Sequence, residues 1–113
     1  AHLSAGTQVR DYLFIDDAVE SVIQAGRPAL AGRSGPDNVC TGEHIAVRAF
    51  AEIVADVMRK PLDLLRFGII DYRPDDYPWL VGNPARFWHD TGFRPAILLR
   101  AGIEKTVAAA ERQ

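Results

Sequence analysis

Apolar positions along the chain follow two rhythms, and the boundaries between them predict its elements. Tyr12-Leu13-Phe14-Ile15 is a short, unbroken apolar run rich in aromatic and branched residues, which predicts a buried strand. Arg10 and Asp11 precede it; Asp16 and Asp17 follow, with Asp17 placed as the N-cap of a helix. Ala18, Val19, Val22 and Ile23 then recur at helical spacing until Gly26 and Pro28 stop the pattern. The clearest helix follows the lead-in Glu43 to Ala46. Val47, Phe50, Ala51, Val54, Val57 and Met58 form one stripe, read as core, and Pro61 closes it after Arg59 and Lys60. A last helix runs from Leu98 or Leu99 to Arg112, with Leu99, Ile103, Val107 and Ala110 on one side.

Between these lie weaker signals. Arg27 to Asp37, with its glycines, serine and prolines, reads as a surface loop. Asn38-Val39-Cys40-Thr41 predicts a short strand ending at Gly42, a residue that permits a turn or the close approach of a ligand. Leu62 to Phe67 is a candidate strand whose pattern Asp63 and Arg66 interrupt. Asp71 to Trp79 holds prolines at a density that neither helix nor sheet tolerates. Asn83 then caps, Pro84 takes the first helical position, and Ala85 to Asp90 form a short helix ended by Gly92. Phe93-Arg94-Pro95 turns the chain once more. The fold class is therefore α/β.

With 113 residues the chain is one domain or part of one. Its 48% hydrophobic and 25% charged residues are an ordinary globular composition. A net charge of −2 supplies no basic field for nucleic acid or acidic membranes, so an anionic ligand must be gripped by a few placed arginines. Cys40 is the sole cysteine, which rules out an internal disulfide and points to a reduced, cytosolic setting. His2 to Gly6 lacks the apolar stretch of a signal peptide, and no run approaches the roughly 20 apolar residues of a membrane span. Ala1 is not a methionine, and the chain opens only a few residues before its first predicted strand; both features suit a piece of a longer protein.

No G-x-G-x-x-G and no P-loop is present, so no phosphate-cradling glycine fingerprint exists here. His2, His44 and His89 stand singly, without a second cysteine, which predicts surface or capping histidines and no metal site. Cys40 has no identifiable base and reads as a buried strand cysteine. Two arginine-bearing loops remain, around Arg10 and Arg73, each beside aspartates and aromatics. Arg10 has two explanations: an ion pair to Asp11 or a later carboxylate, or a guanidinium presented to a phosphate. On the second, Arg10 and Arg73 share a diphosphate while Asp76 accepts from a sugar hydroxyl. Tyr77 and Trp79 then cover a ring, or Trp79 simply packs in the core.

The order R-D-Y-L-F-I-D-D-A, N-V-C-T-G, V-R-A-F-A-E-I-V, R-P-D-D-Y-P-W-L-V-G-N-P-A-R and T-G-F-R-P, followed by a last helix, resembles the C-terminal portion of extended short-chain dehydrogenases/reductases (SDRs). These form the NAD-dependent epimerase/dehydratase family acting on nucleotide sugars. The resemblance covers nearly all of residues 1–113. It implies the edge of a Rossmann-like sheet plus a small mixed α/β substrate-binding lobe, with the N-terminal dinucleotide-binding part outside the chain. It further implies that Arg10 and Arg73 contact the diphosphate, that Asp76 meets the nucleotide ribose, and that Gln8 is a weaker candidate beside the same strand. N-P-A-R looks like the family's D-P-S-K helix start, with Asn83 and Arg86 at the variable places. The segments Asn38 to Gly42 and Asp76 to Gly82 are similar in style to reductases and dehydratases of GDP-linked deoxyhexoses.

What the resemblance implies for the parent is a cytoplasmic homodimer using NAD or NADP and a UDP-, GDP- or dTDP-linked sugar. This chain departs from the pattern in four ways. Asp75 replaces the usual glycine of R-P-G-D, Ala46 stands where a serine or threonine caps the long helix, and the G-x-x-G-x-x-G and catalytic Y-x-x-x-K are both absent. No catalytic residue is therefore expected within the chain. The alternative is a stand-alone, non-catalytic ligand-binding or interaction module that retains half of the fold.

Overall fold

A computed structural model describes residues 1–30, 32 and 35–113, the last turn of the first helix (28–30) by its backbone. The chain runs β1 (Val9–Arg10), α1 (Ile15–Leu30), β2 (Ile45–Ala46), α2 (Val47–Val57), a 3-10 turn (Leu62–Leu64), β3 (Trp79–Leu80), α3 (Ala85–Thr91) and α4 (Leu99–Glu111). The three short strands form one mixed sheet in the order β2-β1-β3. Val9 pairs with Ala46 in the antiparallel ladder and with Trp79 in the parallel one, so β1 is the central strand. α1 packs on α3 and α2 on α4.

The first strand lies three residues earlier than the apolar run. Tyr12 to Phe14 form no ladder; their rings find cover elsewhere, Tyr12 stacked on Phe50 of α2 at 4.2 Å and Phe14 against Gly102 of α4. Tyr12, Leu13 and Phe14 are thus half-covered without strand pairing, while Ile15, the last residue of the run, is exposed at the start of α1. α1 opens when Ala18 N–H bonds the Phe14 carbonyl, so Asp17 lies inside the helix rather than capping it. Asp17 is buried, and its carboxylate accepts from the N–H groups of Ala96 (3.1 Å) and Ile97 (2.9 Å) just before α4. α1 also passes through Gly26 and Pro28 to Leu30. Gly26 has no positive φ, so it serves as a helical residue at a cost near 1 kcal/mol instead of a left-handed cap. Of the predicted 27–37 loop, Ala31, Arg33 and Ser34 lie outside the described residues.

Asn38 to Thr41 is not a strand either. The Thr41 and Gly42 N–H groups, which a ladder would have used, donate to the Asp11 carboxylate. Gly42 takes φ 76°, and a Cβ there would press on Pro84, so a turn against protein explains the glycine. Leu62 to Phe67 forms the 3-10 turn and then a single bridge from Arg66 to His2.

α2 forms where its stripe predicts, but the stripe residues Val47, Phe50, Ala51, Val54 and Val57 are only half-buried and the buried residue is Ala55, outside the stripe. Ala46 does occupy the N-cap without a side-chain bond. Backbone supplies what the missing hydroxyl would have: Val47 N–H donates to Gln8 O and Arg48 N–H to Gly6 O, both at 2.9 Å. The other end closes with Arg59 at φ 55°, Arg59 N–H on Asp56 O and Lys60 N–H on Ala55 O. This is a Schellman turn built without its usual glycine. Met58, read as core, sits exposed at that C-cap. Asn83 Oδ1 accepts from Ala85 N–H and Gly92 ends α3 in the left-handed conformation, as the sequence predicts, but Pro84 stands at the N-cap and Ala85 takes the first helical position.

Among the described residues the buried apolar core is small: Phe87 of α3 meets Phe93 edge to face, and Ala55 of α2 and Ile103 of α4 are the other two buried apolar residues. The molecule is a slab of 52 × 37 × 20 Å. Its radius of gyration is 16.8 Å, against about 13 Å for a compact domain of this length. The α1 residues Ile15, Val19, Val22 and Ile23 are 53–73% exposed, a continuous apolar face left uncovered.

Candidate functional site

The candidate site forms where β1 meets the loop leading into β3. Arg10, the last residue of β1, is half-buried and donates through Nη1 to its neighbour Val9 O and across to Tyr77 O, both at 2.8 Å. Its Nη2 stands 4.0 Å from Asp76 Oδ1. Of the two explanations open for Arg10, the ion pair is formed, with the later carboxylate Asp76 and not with Asp11. Asp11 instead holds Thr41 and Gly42, by Oγ1 and both N–H groups.

Arg73 and Asp76 stand at the two ends of a tight turn closed by Asp76 N–H on Arg73 O at 3.1 Å. Pro74 and Asp75 occupy the middle of the turn, and Asp75 has no positive φ. Proline suits the second position of such a turn, and the next position, having no positive φ, does not call for glycine, so Asp75 stands there without strain. The Arg73 side chain is exposed, and among the described residues it makes no ion pair. Arg10 and Asp76 thus come together, with Arg73 on the same turn. Gln8 gives its carbonyl to Val47, while its side-chain Oε1 is buried with no hydrogen-bond partner among the described residues.

Trp79 is not in the core: it is 56% exposed and tilts on His44 at 4.9 Å. Tyr77 is exposed as well. Burial raises the Tyr12 phenol above its ordinary pKa, opposed by the Arg10 charge. Asn83 and Arg86 serve α3: Asn83 caps it, and Arg86 pairs with Asp37 at 3.2 Å.

Two contributors escaped the sequence reading. Asp11 fixes the 41–42 turn at the edge of a 260 Å³ cleft that Tyr12, Thr41, His44, Trp88 and Arg94 help line. Tyr72 ties the Arg73 loop to Thr7. Each is a polar residue adjacent to an assigned arginine, the one signal that could have flagged it.

Cys40, half-buried and outside any strand, abuts Gly82 so closely that a Cβ on that glycine would overlap its Sγ. Burial first, then the Asp11 charge, push its thiol pKa above the ordinary value, while the Gly42 N–H pulls it down. The thiolate is the nucleophile, so iodoacetamide alkylation of Cys40 should be slow at pH 7 and rise at higher pH than for an unstructured cysteine peptide. A midpoint at or below that of the peptide would contradict the assigned surroundings.

No protein-family model matches the chain. Among curated proteins it is similar to the UDP-glucose 4-epimerase of Mycolicibacterium smegmatis, at 30% identity over 109 residues, 90% of this chain and 31% of that protein. Among solved structures it matches the UDP-glucose 4-epimerase of Thermus thermophilus in complex with NAD, with TM-score 0.75 and 28% identity over 96% of this chain and 34% of that one. It also matches dTDP-glucose 4,6-dehydratase of Bacillus anthracis in complex with NAD, with TM-score 0.85 at 17% identity, covering 99% and 34%. The chain thus spans about a third of the length of these relatives. The fold, a three-stranded mixed sheet with four helices, is that of the C-terminal part of extended SDRs. Within that class the chain belongs to the NAD-dependent epimerase/dehydratase family.

Proposed function

We propose that this chain grips the nucleotide diphosphate of a nucleotide sugar, as the substrate-binding portion of an NAD(P)-dependent epimerase, dehydratase or reductase. One observation carries the reading: the Arg10 guanidinium is held at 2.8 Å by the Tyr77 carbonyl, on the loop that bears Arg73 and Asp76. A guanidinium anchored through one nitrogen keeps its remaining donors for a phosphate, in a planar fork that matches two oxygens. Arg73 brings the second cation, Asp76 accepts from a ribose hydroxyl, and Gln8, whose Oε1 is buried without a partner among the described residues, is the weaker candidate beside the same strand. With a net charge of −2 the affinity must come from these placed groups. Binding energy from the diphosphate, remote from the reacting carbon, helps orient the sugar.

The dinucleotide does not fit within this chain. The sequence has no glycine fingerprint, and among the described residues the three strands, two residues each, offer no strand-turn-helix cradle for a pyrophosphate. Its site and the catalytic Y-x-x-x-K belong to residues outside the chain. The exposed apolar face of α1 suits coverage by that remainder. The setting is cytoplasmic and the parent a homodimer; among the described residues no helix is long and apolar enough to cross a membrane. UDP is the nucleotide to try first, because two of the relatives above are named UDP-glucose 4-epimerases.

Calorimetric titration with UDP-, GDP- and dTDP-sugars tests the reading. Arg73→Ala is expected to weaken binding about tenfold, the loss of a solvent-exposed, charge-assisted contact. Unchanged affinity in that variant would remove Arg73 from the site.

A further inference from the structure

Tyr72 stands immediately before Arg73, outside the four residues assigned to the ligand. Its hydroxyl oxygen accepts from the Thr7 N–H at 2.9 Å and lies within hydrogen-bond reach of the Thr7 Oγ1, so one atom bridges residues 65 apart in sequence. Thr7 belongs to the segment that enters β1, three residues ahead of Arg10. The far end of the loop has its own ties to that strand: Arg10 on Tyr77 O and Val9 N–H on Pro78 O. On the near side, Ile69 and Ile70 N–H groups bond Leu3 O. Of these ties, the Tyr72 hydroxyl is the one nearest Arg73 on its upstream side.

We propose that Tyr72 is a positioning residue, its hydroxyl fastening the start of the 71–78 loop to Thr7 so that Arg73 faces the same diphosphate as Arg10. This rests on the diphosphate reading above. An exposed arginine on a loose loop must be ordered at the moment of binding, and that ordering opposes affinity. A loop fastened beforehand meets the phosphate already ordered. The phenol suits the task, because its oxygen accepts the backbone N–H while its proton remains for the threonine hydroxyl. It does so without adding a charge that would compete with the phosphate.

The test compares UDP with uridine, which lacks the phosphates, in the intact protein carrying Tyr72→Phe, Thr7→Val, both, or Arg73→Ala. Tyr72→Phe is expected to weaken UDP about tenfold, as the loss of a hydroxyl making two hydrogen bonds, and to leave uridine unchanged. Thr7→Val, which keeps the N–H donor, should weaken UDP less, and the double variant should lose less than the sum of the two. Without ligand, hydrogen exchange at the Asp76 amide should quicken in Tyr72→Phe as the turn loosens. Equal losses for UDP and uridine would overturn the positioning role in favour of general destabilisation. Unchanged UDP affinity in Tyr72→Phe, with a loss in Arg73→Ala, would overturn it and leave the diphosphate reading standing. Unchanged affinity in both variants would overturn both. Unaltered exchange at Asp76 would by itself remove the fastening.

Discussion

Arg10→Ala is expected to weaken UDP binding about a hundredfold, more than any other single change at the site. The reason is pre-organisation. Arg10 is half-buried, and its Nη1 is already committed to the Val9 and Tyr77 carbonyls at 2.8 Å, so little side-chain freedom remains to be lost when a phosphate arrives. Arg73 is exposed and must be ordered, which makes its share smaller. Arg10→Ala also frees the Tyr77 carbonyl and releases Asp76, loosening the loop that carries Arg73. Arg10→Lys separates charge from shape: it keeps the cation, loses the fork, and should recover only part of the affinity. Calorimetry at two salt concentrations checks both variants, since a charge-dependent contact weakens with ionic strength. Wild-type affinity in folded Arg10→Ala would end the diphosphate assignment.

The largest stability loss should come from Asp17→Ala, at about 3 kcal/mol. The Asp17 carboxylate is 5% exposed and satisfies the Ala96 and Ile97 N–H groups from 79 and 80 residues away. Alanine would leave both donors without their charged acceptor in a part-buried setting, and would untie α1 from the segment entering α4. Asp17→Asn keeps one acceptor oxygen and should lose less. Urea unfolding reads this as a lower midpoint with an unchanged slope, and heating as a melting temperature lower by about 10 °C. A variant as stable as the parent would mean those two N–H groups find water instead.

Much of the architecture is legible in the sequence. The α2 stripe, the start of α3 at Asn83 and Pro84, its stop at Gly92 and the long final helix are local signals, each a matter of spacing or of one residue's backbone preference. The misreadings share a cause. Tyr12 to Phe14 reads as a strand because it is apolar, Asn38 to Thr41 because it ends at glycine, and Asp17 as a cap because it precedes a helical pattern. In each case a partner distant in sequence decides the outcome: Phe50 and Gly102 for the rings, Asp11 for the Thr41 and Gly42 amides, Ala96 and Ile97 for Asp17. Strand pairing and buried carboxylate contacts are non-local, and no window of sequence contains both partners.

The site divides in the same way. Residue identity by itself singled out Arg10, Arg73 and Asp76, because guanidinium and carboxylate chemistry belongs to the side chain and an acidic protein must hold an anion with few cations. Only the tertiary structure decided that Arg10 rests on Tyr77 and faces Asp76 rather than Asp11, that Gln8 keeps an oxygen without a partner among the described residues, and that Tyr72 reaches Thr7. Which donor meets which acceptor depends on where the chain returns, and β3 returns beside β1 only when the sheet forms.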